Sequence, residues 1–166
     1  MRKLTFVLAA MLAPLACHAQ EVALTTPVSG VVAVVAVKAG ERVRKGQVLA
    51  RLDATLYRAR VDEAQAQAQG AAAEAAEAKR NLDRAEQLYR RTVSSTTELE
   101  AARLAYARAQ SALGVARARL AIAQKQLDEA TLRAPFDGVV IKRAAEPGMV
   151  VAAQCDPRTL IVMERR

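Results

Sequence analysis

The sequence predicts an α+β fold in which a small β-sandwich, assembled from the two ends of the chain, is split by a long antiparallel α-helical coiled-coil hairpin. The first observation is a repeat: TPVSGVVAVVAVKAGERV at Thr26 to Val43 and APFDGVVIKRAAEPGMVV at Ala134 to Val151. Both copies place a Pro and two Gly alike (Pro27, Gly30, Gly40; Pro135, Gly138, Gly148), at a constant offset of 108 residues. The second is the intervening stretch, rich in Ala, Gln, Glu and Arg and without proline. Each copy is a β-branched run between glycines, too short to bury its own apolar face, so the copies are expected to complete one sheet module. The chain between them must leave and return to nearly the same place.

Residues 1–19 read as a secretory signal: Arg2 and Lys3, an apolar run from Leu4 to Ala16, then Cys17-His18-Ala19 as a small-residue cleavage site before Gln20. The run is too short to span a bilayer, and a bacterial periplasm is the expected location. Cys17 also permits a lipid anchor, though Pro14 stands where such signals usually carry Leu. Residues 20–53 form the first half of the β-module.

Residues 54–130 are expected to be the hairpin, with helices from about Ala54 to Arg91 and Thr97 to Ala130. In the second arm Leu99, Tyr106, Leu113, Leu120 and Leu127 recur every seven residues, with Ala102, Ala109, Ala116, Ala123 and Ala130 three residues on. That is an unbroken heptad seam. The first arm carries the weaker stripe Val61, Ala68, Ala75, Leu82, Tyr89 with Ala64, Ala71, Ala78 and Ala85. Thr92 to Thr97 is a hydroxyl-rich break suited to a turn, and Thr97 with Glu100 has capping-box spacing. At about 1.5 Å per residue each arm reaches on the order of 50 Å, which carries the turn far from the sheets. Residues 131–166 form the second half of the module.

The formal charge is +8, and loss of Arg2 and Lys3 with the signal would leave it at +6. Export and the scarcity of aromatic residues argue against nucleic acid as a partner. Cleavage would also remove His18 and Cys17 and leave Cys155 as the sole cysteine. That excludes an intramolecular disulfide, a CxxC metal site and imidazole catalysis. No catalytic, cofactor-binding or metal-binding residues are expected.

With PVSGVV, VKAGERVRKGQVLARLD ending at Asp53, and TLRAPFDGVV leading to EPGMVV, the chain resembles the periplasmic adaptor subunits of bacterial efflux pumps, the membrane fusion proteins of the HlyD type. The resemblance covers nearly the whole chain after the signal. It implies a lipoyl-like β-sandwich (barrel-sandwich hybrid) and a structural role without chemistry, joining an inner-membrane transporter to a TolC-type outer-membrane channel as a homo-oligomer. Complete adaptors usually continue into a β-barrel and a membrane-proximal domain, so a chain that stops at Arg166 reads either as a short form whose pump contact passes through another adaptor chain or as an incomplete product of a longer gene.

Adaptors that engage TolC-type channels carry an Arg, a Leu four residues later and a Ser seven beyond that. Arg84, Leu88 and Ser95 stand at this spacing, and the resemblance implies that they dock the hairpin tip into grooves of the channel. Ser94 departs from the pattern, since many members have an apolar residue there. Lipoyl-like modules also suggest a carrier of lipoate or biotin. Here the helical insert replaces the carrier hairpin, and Lys38, Lys45 and Lys142 lie outside such a motif, so no cofactor is expected. The competing class is a free-standing coiled-coil scaffold that binds no channel.

Overall fold

The computed structural model describes residues 21–91, 95–153 and 157–165. The predicted signal, the center of the predicted turn (residues 92–94) and Cys155 lie outside them. In chain order the elements are β1 (Glu21–Leu24), β2 (Gly30–Val35), β3 (Arg42–Val43), β4 (Val48–Leu52), α1 (Thr55–Arg90), α2 (Thr96–Glu129), β5 (Thr131–Arg133), β6 (Gly138–Arg143), β7 (Val150–Val151) and β8 (Ile161–Arg165). The eight strands form two four-stranded sheets, β1-β8-β6-β3 and β5-β4-β2-β7. Every pairing is antiparallel.

Each sheet mixes strands from both ends of the chain, and the reason is visible in the repeat. Arg42 pairs with Val139 and Val43 with Gly138; 108 residues displaced, Val150 pairs with Val31 and Val151 with Gly30. The Gly40 N–H donates to the Val140 carbonyl at 2.7 Å, and the Gly148 N–H donates to the Val32 carbonyl at 2.8 Å. Both glycines have left-handed backbones, φ 84° and 86°, the region where a Cβ is disfavoured. The two copies thus bond to each other through equivalent atoms, as an internal two-fold relation requires. Between the sheets pack Val32, Leu49, Val140, Val151, Leu160, Ile161 and Met163, all essentially inaccessible. No described buried side-chain polar atom lacks a hydrogen-bond partner.

The hairpin leaves from β4 and returns through β5, and those strands are paired, Ala50 opposite Leu132. Tyr57 in the first turn of α1 is buried in the sandwich core, and its hydroxyl donates to the Ser29 carbonyl at 2.7 Å. The buried Thr26 hydroxyl donates to the Glu129 carbonyl at 2.8 Å, satisfying an open C-terminal carbonyl of α2. The Leu52 N–H donates to the Ala130 carbonyl at 2.8 Å. Both helices are therefore rooted in the sandwich by hydrogen bonds as well as by packing.

Asp53 starts α1. Its Oδ1 accepts from the Thr55 N–H at 2.9 Å and from the Thr55 hydroxyl at 2.7 Å. The hydroxyl bond, followed by the backbone bond, holds the carboxyl pKa below the usual aspartate value. Because the folded pKa is depressed, this Asp53–Thr55 pairing helps stability above the unfolded-state pKa, and the help is lost as pH falls through the lowered value. In an NMR titration Asp53 should protonate at lower pH than a free aspartate, and Thr55→Val should move the midpoint up.

The heptad register is borne out. Ala64, Ala68, Ala75 and Leu82 of α1 are buried, as are Leu99, Leu113, Ala116 and Ala123 of α2, while Arg117 and Arg119 are exposed. Leu120 and Leu127 are half-buried. Leu113→Ala should cost about 2 to 3 kcal/mol, Leu120→Ala somewhat less, and Arg119→Ala within about 0.5 kcal/mol. Chemical denaturation of the three variants checks the order, and equal effects at Leu113 and Arg119 would contradict this seam.

Two local expectations are corrected. The N-cap of α2 is Ser95, whose hydroxyl accepts from the Glu98 N–H at 3.3 Å; the expected Thr97 lies inside the helix. Ser95 and Glu98 have the same capping spacing two residues earlier, and Ser95 is the residue with extended backbone. Tyr89, expected in the seam, is 43% exposed. It stands at the tip, where with Leu99 of α2 it lines an open groove instead of packing into the seam.

Candidate functional site: the hairpin tip

An α-helix rises about 1.5 Å per residue, so the 36 residues of α1 and 34 of α2 carry the tip on the order of 50 Å from the sandwich. Arg84 and Leu88 are four apart and share one face of α1. Arg84 is exposed and Leu88 is 40% exposed. Leu88 is therefore not seam packing, which is carried at this height by Leu82 and Leu99. Ser95 lies across the turn, also exposed, with its side chain engaged as the helix cap. The structure brings Arg84 and Leu88 to one surface; Ser95 it gives a local role.

Sequence reading missed the residues beside them. Glu86, Tyr89, Arg90, Leu99 and Arg103 line a groove between the two helices at the tip. The exposed Tyr89 ring adds to Leu88 an amphipathic apolar surface of the kind that carries protein contacts, with guanidinium groups on its rim. The signal was present in the sequence. Tyr89 is the last position of the first-arm heptad stripe.

Along the rest of the chain, Lys38, Lys45 and Lys142 are exposed. Among the described residues there is no cluster of three or more His, Cys, Asp or Glu able to hold a metal ion, and no helix is long and apolar enough to cross a membrane.

Residues 20–159 match the family model of the CzcB-like barrel-sandwich hybrid domain. The multidrug resistance protein MdtA of Cronobacter turicensis is 30% identical over an alignment covering 86% of this chain and 37% of that protein. Among solved structures, a MacA–MexA chimera carrying the Pseudomonas aeruginosa MexA α-hairpin domain superposes with a TM-score of 0.63 at 26% identity, covering 88% of this chain and 46% of that one. ZneB from Cupriavidus metallidurans superposes with a TM-score of 0.61 at 25% identity, covering 87% of this chain and 60% of that one. The chain thus spans about a third of the length of the curated relatives it matches. By sequence and by fold, this chain belongs to the CzcB-like barrel-sandwich hybrid family, with the split sandwich and helical hairpin of membrane fusion proteins.

Proposed function

We propose that the protein is a periplasmic adaptor of an efflux or secretion system, in which the hairpin tip docks on a TolC-type outer-membrane channel and the rest of the assembly engages an inner-membrane transporter, directly or through another adaptor chain. It works as a homo-oligomer and carries out no chemistry. The observation that carries this reading is the presentation of Arg84 and Leu88 on one exposed face at the end of a hairpin anchored in a sandwich of this family. A guanidinium can pair with a carboxylate or carbonyls at helix ends of a channel, and a half-exposed leucine gains by filling a groove. Ser95 completes the surface by fixing the start of α2.

The test is thiol crosslinking from Ser95→Cys to a co-expressed TolC-type channel, with Cys155→Ser as background. Arg84→Glu should abolish the crosslink while leaving helicity and melting unchanged, because it reverses charge at an exposed site. Leu88→Ser should weaken it. A cysteine at Gln65, exposed near the base of α1, should give none; equal crosslinking from Gln65 and Ser95 would rule out tip docking.

A further inference from the structure

The hairpin is bolted at its root and weakest at its middle. At the root, the Tyr57 hydroxyl donates to the Ser29 carbonyl, the Thr26 hydroxyl to the Glu129 carbonyl and the Leu52 N–H to the Ala130 carbonyl, at 2.7, 2.8 and 2.8 Å. Tilting either helix at its base therefore breaks bonds made by buried groups. Farther out, each helix carries one glycine, Gly70 in α1 and Gly114 in α2. Gly70 lines a surface groove with Ala112, Val115 and Ala116, which places Gly114 within one turn of the same height. No packing requires either glycine. Both are exposed, neither has a left-handed backbone, and a Cβ at either would meet nothing within 4 Å. Each nonetheless disfavours the helix about fivefold relative to alanine, through its greater freedom in the unfolded chain.

The seam is thinnest at the same height. Between Val61 and Leu82, α1 has no apolar side chain larger than alanine, and Ala64, Ala68 and Ala75 make its side of the seam. Large buried side chains of α1 stand only at the ends of this stretch and beyond, Tyr57 at the root and Leu82 toward the tip. Ion pairs keep to the same division. Among the described residues Lys79 pairs with Asp83 beyond the glycines and Lys125 with Glu129 at the root, and neither pair crosses the level of Gly70 and Gly114.

We infer that the hairpin is jointed at mid-shaft, its outer half bending on its root half at the level of Gly70 and Gly114 through transient opening of the helical hydrogen bonds around the two glycines. A weak point in one helix alone would be splinted by the other. Two at one height bend together. The stretch from Gly70 to the end of α1 is about 30 Å long, so a bend of about 20° at the joint moves the tip sideways by roughly 10 Å. The sandwich and root keep their orientation while the tip samples a range of positions, which suits a tip whose partner is set off from the axis of its own sandwich. The joint is a property of the chain by itself and stands whether or not the tip docks on a channel.

NMR of the full chain tests this in two ways. Amides of residues 71–75 and 115–119 should exchange by local opening, and combining Gly70→Ala with Gly114→Ala should slow them about fivefold or more while amides of residues 57–64 and 82–88 keep their rates. Residual dipolar couplings of the N–H groups should require separate alignments for the outer half, residues 77–90 and 96–107, and the root half, residues 55–66 and 119–129. In the double variant one alignment should fit both halves. Slowing that is absent, or uniform along both helices, would mean that the glycines make no joint. A single alignment for the whole wild-type hairpin would mean that the shaft is stiff and that any motion lies at the root. Each of these results overturns the inference.

Discussion

Gly138→Ala is expected to destabilise the protein by about 3 kcal/mol or more, while Gly30→Ala changes stability by less than about 1 kcal/mol, although the two glycines hold the same place in the repeat. A Cβ on Gly138 would overlap the Glu164 carbonyl oxygen, lie 3.2 Å from its carbon and touch the Phe136 ring. Backbone on β8 cannot step aside without breaking its pairing with β6, Val140 to Met163 through Gly138 to Arg165. A Cβ on Gly30 meets only Leu52 side-chain atoms at 3.5 and 3.6 Å, ordinary contact. The difference comes from the insert. β4 pairs with β2 only as far as Leu52 opposite Val32, then turns at Asp53 into α1, whereas β8 continues its pairing until Arg165 stands opposite Gly138. Equivalent places in the repeat therefore differ in what they accept, a side chain being excluded at Gly138 and accommodated at Gly30. Urea denaturation of both variants, compared at equal m, gives the contrast directly.

What the sequence makes legible follows from where the two copies are constrained alike. Core-facing positions keep their character across the offset of 108, Val32 with Val140 and Val43 with Val151, because both sides of the internal two-fold fill one interior. The seam of the hairpin is legible for the same reason, since burial every seven residues leaves an apolar period. Outward positions diverge, Val34 against Lys142 and Arg42 against Val150, because solvent imposes no common requirement. β1 and β8 were not readable. Their equivalents obey the offset only in part: β4 pairs Ala50 with Val35 while β8 pairs Ile161 with Arg143, a displacement of 111 rather than 108 on one side. Three additional residues in the connection before β8 hide the match. At the tip, Arg84 and Leu88 were readable from spacing, whereas Tyr89 was assigned to the seam because periodicity alone does not show where the seam opens into the groove.

Removing Ala134 to Arg166 is expected to unfold the first half of the sandwich as well. The deletion takes away β6, β7 and β8, and with them the sole partner of β3 and the sole partner of β1. It also strips Val140, Val151, Leu160, Ile161 and Met163 from a core that Val32, Val43, Leu49 and Leu52 share. At roughly 2 kcal/mol for each fully buried aliphatic side chain, the lost burial is on the order of 10 kcal/mol. A whole domain has only about 5 to 15 kcal/mol of net stability to lose. What remains is β2, β4 and β5, a three-stranded remnant with one apolar face open to water. The helices fare differently, because their seam is internal to residues 55–129 and loses little beyond its anchorage. Far-ultraviolet circular dichroism should therefore retain most helical signal while amide exchange across residues 21–53 becomes fast, with Val32 losing its bond to the Met149 carbonyl outright. Native-like protection of the Val32 and Leu49 amides in the truncated chain would mean that the halves are separate folding units, against the bonding that joins Gly40 to Val140 and Gly148 to Val32.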